Sequence, residues 1–267
     1  MIETYVVQGR EMDVFSAAFE RTLPVMLTGP TGCGKTTFVQ EMADRLGRPC
    51  VTVSCHDDLT TADLVGRFLV FGGDVEWHDG PLTGAMRDGA ICYLDEVVEA
   101  RRDTLALLHS VTDQRRTLFV DRRRETVEAA EGFMLVASYN PRGRGAFKEL
   151  RPSLRQRFVT IPMEYLPPER ETELLVARTT VGPASAERLV RLATALRSEA
   201  VEAVVDPPST RSLVLAAELL VAGVDERDAI ETAILSPLAS DRGVEDALRD
   251  LVRAALPDDA VPVSNTG

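Results

Sequence analysis

The eight residues Gly29-Pro30-Thr31-Gly32-Cys33-Gly34-Lys35-Thr36 limit what this chain can fold into more than any other stretch. They fit the pattern GxxxxGK[ST]. A short apolar run over residues 23–28 precedes them. An amphipathic segment over 35–46 follows, with Phe38, Val39, Met42, Ala43 and Leu46 on one face. Strand, glycine-rich loop and helix, in that order, gather backbone N–H groups around a small concavity beside the positive end of a helix. The phosphate chain of a nucleoside triphosphate suits such a concavity. Lys35 is expected to reach the β- and γ-phosphates, and Thr36 to ligate Mg²⁺. The expected ATP contacts are thus Gly29, Pro30, Thr31, Gly32, Cys33, Gly34, Lys35 and Thr36, with Thr37 next to them.

The pattern around the loop predicts an α/β fold. Residues 11–21 read as a helix with Val14, Phe15, Ala18 and Phe19 on one face, and 50–54 as a second strand. Strand, helix, strand opens a parallel sheet. Residues 56–88 are irregular. They predict a short helix over 61–65, a hairpin of 67–71 and 75–78 turning at Gly72-Gly73-Asp74, and a helix over 81–87. A strand over 91–94 ends in Asp95-Glu96, and a helix over 100–112 follows. Residues 117–120 and 125–128 read as a second hairpin turning at 121–124. Residues 133–138 and 159–163 are the fourth and fifth buried strands. Past Pro167-Pro168 the strand patterns stop, and helices are expected over 169–180, 185–198, 210–222, 226–235 and 244–256. The expected organisation is an α/β domain over 1–166, a helical domain over 167–256, and a disordered tail over 257–267.

Four further elements carry chemistry. Asp95 at a strand end suits the Mg²⁺ shell, and Glu96 suits orienting and deprotonating an attacking water. An acidic helix cap is the plainer reading of the pair. Asn140, just past the fourth strand, can position that water against the γ-phosphate, although Asn-Pro is also an ordinary turn signal. Arg151, Arg155 and Arg157 precede the fifth strand, and one of them can act as an arginine finger on a neighbouring subunit's nucleotide. Arg211, opening a helix of the second domain, can contact the γ-phosphate of its own subunit. A solvated surface charge is the alternative for each arginine.

Composition excludes several classes. The formal net charge of −12 argues against a protein that wraps nucleic acid. No apolar run approaches the ~20 residues that span a bilayer. The first residues lack signal-peptide character, so a cytoplasmic location is expected. Cys33, Cys50, Cys55 and Cys92 form no CxxC pair and read as free thiols, with oxidation of Cys33 the weaker alternative. His56, His78 and His109 have no metal-ligand spacing and read as structural.

Together these motifs resemble the MoxR group of AAA+ ATPases, and within it the CbbQ/NirQ/NorQ family. The likeness runs from about Tyr5 to Leu256. It is carried by LPVMLTGPTGCGKT, VTVSCHDDLTTADLVGRFL, WHDGPLTGAMRDGAICYLDEVVEARRDT, SYNP and LRQRF. The resemblance implies an αβα sandwich with a five-stranded parallel sheet and a small helical lid. It further implies an ATP- and Mg²⁺-dependent homo-oligomeric ring, usually a hexamer, with nucleotide at subunit interfaces. Arg157 in QRF matches the finger acting between subunits, with Arg155 the alternative; Asn140 matches sensor 1 and Arg211 sensor 2. Residues 66–80 correspond to a helix-2 insert and 117–128 to a pre-sensor-1 hairpin, both toward the pore. Phe68, Phe71 and Trp77 then either grip a client or pack the insert's own core. Arg122-Arg123-Arg124 either face the pore or keep a hairpin tip soluble. Family members work with a von Willebrand factor A domain protein and remodel or activate a client enzyme. The expectation is a Rubisco activase motor of the CbbQ type. A NorQ/NirQ-type activator of nitric oxide reductase is the alternative, and a metal-chelatase motor a more distant one. The family often continues past Asn-Pro with Gly-Tyr, where this chain has Arg142-Gly143-Arg144-Gly145. Neither membrane insertion nor nucleic-acid binding is expected.

Overall fold

A computed structural model of the chain describes residues 5–141, 150–198 and 207–238, without the side chain of Phe71. The helix expected over 244–256, the tail over 257–267 and the run Arg142-Gly143-Arg144-Gly145 lie outside the described residues. Contacts divide the chain into two units. The first joins Met1–Gly29 to Gly34–Glu164; the second joins Pro30–Cys33, the tip of the glycine-rich loop, to Tyr165–Gly267.

The first unit runs α1 (Glu11–Glu20), β1 (Val25–Thr28), α2 (Lys35–Leu46), β2 (Cys50–Ser54), α3 (Thr61–Val65), β3 (Gly66–Phe71), β4 (Asp74–Asp79), α4 (Pro81–Asp88) and β5 (Ile91–Asp95). A 3-10 turn (Val97–Glu99), α5 (Arg102–Val111), β6 (Thr117–Val120), β7 (Glu125–Glu128), β8 (Met134–Tyr139), α6 (Pro152–Arg155) and β9 (Val159–Pro162) complete it. Its main sheet is parallel, in the order β2-β5-β8-β1-β9. Burial follows that order. The inner strands β1, β5 and β8 are buried along nearly their whole length, because helices cover both faces of a parallel sheet. The edge strands β2 and β9 alternate in exposure.

Helix α2 buries Phe38, Val39, Met42 and Ala43, as its periodicity predicts. Phe38 meets Tyr5 and Phe15 edge to ring, at 5.0 and 5.5 Å between centroids. The apolar face of α1 is narrower than expected: Phe15 and Ala18 are buried, whereas Val14 is 39% exposed. Helix α3 starts from a capping box in which Thr60 and Asp63 exchange side-chain and backbone bonds.

The β3–β4 hairpin turns on Gly72 and Gly73 alone, with φ 59° and 100°. Two consecutive left-handed residues make the tight turn that matches strand twist, so Asp74 joins the strand instead of the loop. Trp77 stacks edge-on against Phe68 at 5.2 Å and packs on the main core, while Phe68 stays 46% exposed. Arg123, from the turn of the β6–β7 hairpin, lies 5.9 Å from the Trp77 ring. Arg87 joins the two hairpins by bonding Asp79 at 2.9 Å and pairing with Glu125.

The second unit contains α7 (Pro168–Thr179), α8 (Pro183–Ser198), α9 (Thr210–Val221), α10 (Glu226–Ile230) and α11 (Ser236–Leu238). Leu175, Leu189, Val190, Leu213, Ala217 and Ile234 form part of its separate core. The single helix expected over 226–235 widens into a π-helical turn over Glu231–Leu235. Pro237 follows after Ser236, and without an N–H it cannot continue the ordinary ladder. Among the described residues no helix is long and apolar enough to cross a membrane.

All four cysteines are free thiols; Cys33, Cys55 and Cys92 are buried and Cys50 is half-buried. Burial pushes Cys55 and Cys92 up to about 12, and at Cys55 the charges of Asp95 and Glu96 add to it. A disulfide-exchange reagent at pH 8 should therefore label Cys50 first and the other three only on unfolding. The folded state keeps two protons that the unfolded chain loses near pH 9, so stability should fall as pH rises from about 9 toward 12. Rapid labelling of Cys55 or Cys92 in the native protein would contradict this.

Candidate nucleotide site

The site is built where strands end. In the sheet β1 lies between β8 and β9, and β5 lies on the other side of β8. Thr28 pairs with Tyr139 in register, and the Gly29 N–H donates to the Tyr139 carbonyl at 3.3 Å. The carboxyl ends of β1, β8 and β5 are therefore neighbours. These ends carry the loop, Asn140 and Asp95, at a switch point of the strand order.

Two glycines shape the loop. Gly32 and Gly34 have φ 71° and 99°, where a side chain is strained. Gly34 caps α2 and, being a glycine, offers no side chain to the helix's first turn. The positive end of the helix dipole there suits an anion. Lys35 is buried, at 8% exposure, and its Nζ donates back to the Gly29 carbonyl at 2.9 Å. The ammonium thus spans the loop that a phosphate chain would fill.

Asp95 sits beside this loop. Thr36 Oγ1 donates to its Oδ2 at 3.4 Å. Its other oxygen, Oδ1, accepts from Ser138 Oγ at 2.5 Å and Tyr93 Oη at 2.7 Å. Each hydroxyl has one proton, so these short bonds take both, and the 3.1 Å approach of Tyr93 to Ser138 adds no further donor. Tyr93 is fully buried. Burial, and then the charge of Asp95, holds its hydroxyl far above the usual phenol range, so it remains a donor. Oδ1 is occupied by protein, and Oδ2 is turned toward Thr36.

Glu96 follows in a left-handed conformation, φ 55° and ψ 46°. For a residue with a side chain this costs on the order of 1–3 kcal/mol. Its N–H donates to Ser138 Oγ at 3.2 Å. Ser138 therefore bonds both members of the acidic pair. Glu96 stands at the N-cap of the turn Val97–Glu99, but its side chain makes no capping bond. Asn140 is half-buried directly past β8.

The arginines separate. Arg157 Nη1 donates to the His109 carbonyl at 3.3 Å and lies 3.8 Å from Asp113, at the end of α5. Among the described residues no contact joins Arg157 to the loop. Arg155 is exposed at the end of α6. Arg151 and Arg102 line a hollow of about 300 Å³ with His109 and Leu154. Arg211 is exposed in the first turn of α9, in the unit that includes the loop tip; a Cβ placed on Gly32 would lie 3.6 Å from the Arg211 Cβ.

Sequence reasoning missed Ser138 and Tyr93. The available signal was a hydroxyl inside each of two otherwise apolar strands, MLVASY and ICYLD. Each is fully buried, and a fully buried polar group needs a partner.

Known proteins match this arrangement along most of the chain. The AAA domain (dynein-related subfamily) matches residues 24–158, and the CbbQ/NirQ/NorQ C-terminal region matches residues 171–255. Protein NorQ of Paracoccus denitrificans is 52% identical, covering 94% of this chain and 93% of its own. The chain belongs to the CbbQ/NirQ/NorQ family of AAA+ ATPases. Two other members of that family are the denitrification regulatory protein NirQ of Pseudomonas aeruginosa and protein CbbQ of Hydrogenophilus thermoluteolus. NirQ is 47% identical, over 93% of this chain and 95% of its own. CbbQ is 45% identical, over 92% of both. In fold, this family member is similar to a mutant RuvB of Thermotoga maritima. The TM-score is 0.54 at 16% identity, over 84% of this chain and 67% of that one.

Ser138→Ala should lower unfolding stability by about 1–3 kcal/mol, because it leaves the Glu96 N–H without its acceptor and removes a donor from Asp95. Denaturant titration checks this. A loss within the ordinary scatter of surface substitutions would mean that the hydroxyl holds neither acid.

Proposed function

We propose that this chain hydrolyses ATP with Mg²⁺ in a cytoplasmic ring of its own copies, most simply a hexamer. The ring uses the energy to remodel or activate a client enzyme together with a von Willebrand factor A domain protein. The observation that carries the reading is the placement of Asp95 Oδ2 against Thr36, at the mouth of the glycine-rich loop that opens α2. A carboxylate oxygen and a hydroxyl are hard donors, and Mg²⁺ takes few protein ligands and keeps several waters, so the pair fits it. Thr36 and Asp95 would hold Mg²⁺, which would supply neutralisation of phosphate charge.

The residues divide the work. The loop over 29–36 and Thr37 hold the phosphates, with Lys35 on the β- and γ-groups. Glu96 orients and deprotonates the attacking water, and Asn140 positions it. Arg157 completes the neighbouring copy's site, with Arg155 the alternative, and Arg211 contacts the γ-phosphate of its own copy. The helical unit is a lid. The two hairpins are inserts toward the pore, where the exposed ring of Phe68 meets client or partner while Trp77 packs against the main core.

The client is better matched to the NorQ/NirQ type than to the Rubisco activase first expected. Identity is 52% to NorQ and 47% to NirQ, against 45% to CbbQ. Nitric oxide reductase is therefore the client to test first.

Glu96→Gln should bind ATP normally but lose turnover by about 10²–10⁴-fold. Phosphate release and nucleotide binding on the same protein check this, and unchanged turnover would remove Glu96 from the mechanism. Arg157→Ala should fail by about 10³-fold or more. Rings mixed from Arg157→Ala and Glu96→Gln copies should recover part of the activity, since some interfaces then have both intact groups. Mixed rings that stay inactive would place the finger elsewhere.

A further inference from the structure

The most deeply buried acid described in the second unit is Glu171 of α7, with none of its surface exposed. Its carboxylate accepts from Arg197 Nη1 at 2.7 Å, from Arg197 Nη2 at 2.9 Å and from Thr210 Oγ1 at 2.6 Å. Arg197 Nε donates to the Pro208 carbonyl at 2.9 Å. All three guanidinium nitrogens are thus engaged. The flat face of the same group lies 3.8 Å from the centroid of the Tyr165 ring. The Tyr165 hydroxyl donates to the backbone carbonyl of Thr31 at 3.0 Å. Thr31 belongs to the loop tip, which is part of this same unit.

The ends of this series meet. Pro208, Ser209 and Thr210 lead into α9, where Ser209 and Ser212 close a capping box. A Cβ on Gly32 would fall 2.5 Å from Ser209 Cβ, so the loop tip already touches the start of α9 with no room for a methyl group. The contacts therefore form a closed circuit: Thr31, Tyr165, Arg197, Glu171, Thr210, Ser209, Gly32. A buried ion pair stabilises poorly compared with apolar packing of the same volume. What a bidentate, stacked arginine supplies is a fixed geometry.

We propose that Tyr165, Arg197 and Glu171 are positioning residues for the phosphate loop. A peptide is planar and trans, so holding the Thr31 carbonyl on Tyr165 turns the Gly32 N–H to the opposite side. That orientation presents the N–H to the phosphates. Through Glu171 and Thr210 it is tied to the start of α9, where Arg211 stands. Nucleotide in the loop and the placement of α9 are thereby coupled. This rests on the reading of the loop as the nucleotide site.

The test compares wild type, Lys35→Ala, Tyr165→Phe, Arg197→Lys and the double variant Tyr165→Phe/Arg197→Lys. The probe is a fluorescent ADP analogue with Mg²⁺, and the melting temperature of each nucleotide-free protein is recorded. Tyr165→Phe should weaken binding by about two- to tenfold, the worth of one hydrogen bond, with the nucleotide-free melting temperature lowered by no more than a few degrees. Arg197→Lys keeps the charge but loses the fork and the stacked face, and should weaken binding at least as much. The double variant should bind no more weakly than Arg197→Lys, because both act along one path. Wild-type affinity in Tyr165→Phe overturns the proposal. So do losses that multiply in the double variant, or a weakened affinity in Tyr165→Phe that comes with a melting temperature as low as that of Arg197→Lys. Undiminished binding by Lys35→Ala would instead overturn the nucleotide reading of the loop, and this proposal with it.

Discussion

The ladder that seats β1 between β8 and β9 is the constraint on which the site depends. β1 comes first in the chain among the sheet strands, yet its neighbours are the two last. Its in-register pairing with β8 brings Gly29 against Tyr139, and the pairing of β8 with β5 brings Ser138 against Asp95, 43 residues away. Both faces of these strands are buried. A slip of one residue would therefore turn Ser138 off the acidic pair and move apolar groups out of the core. The same burial that fixes register fixes the chemistry.

Polar groups inside the two cores behave as low-dielectric packing requires. Ser138 and Tyr93 direct both their protons to one carboxylate oxygen. Glu171 is filled by three donors. Removing one partner of such a buried pair costs about 3–5 kcal/mol, since the remaining charge stays buried. These clusters work as geometric devices. One leaves a single Asp95 oxygen facing Thr36, and the other holds a backbone carbonyl at the loop tip.

Membership of the CbbQ/NirQ/NorQ family does not by itself assign a client, because NorQ, NirQ and CbbQ relatives all match over nearly the whole chain. The two hairpins stand outside the five-stranded sheet. There Trp77 is packed, Phe68 is exposed, and Arg87 and Arg123 join one hairpin to the other. The hairpins therefore form a joined surface that takes no part in the ladder of the main sheet.

Much of this was legible in the chain itself. The glycine-rich loop, the acidic pair at a strand end, the two-glycine turn and the helix after the loop are local patterns. Backbone sterics and periodicity set them within a few residues. Family membership was legible for the same reason, through contiguous runs such as GAICYLDEVVEARRDT. Other features required tertiary structure. Val14 matched the apolar face of α1 by period but not by packing. Glu171 sits among Glu169, Arg170 and Glu173 and reads as one more solvated charge, yet it is the one with no exposure. Ser138 reads as filler in an apolar strand. The orientation of Asp95 and the hold on Thr31 depend on partners 43 and 134 residues away. No local pattern encodes which distant hydroxyl will arrive; the order and register of the strands, and the packing of the helices, decide it.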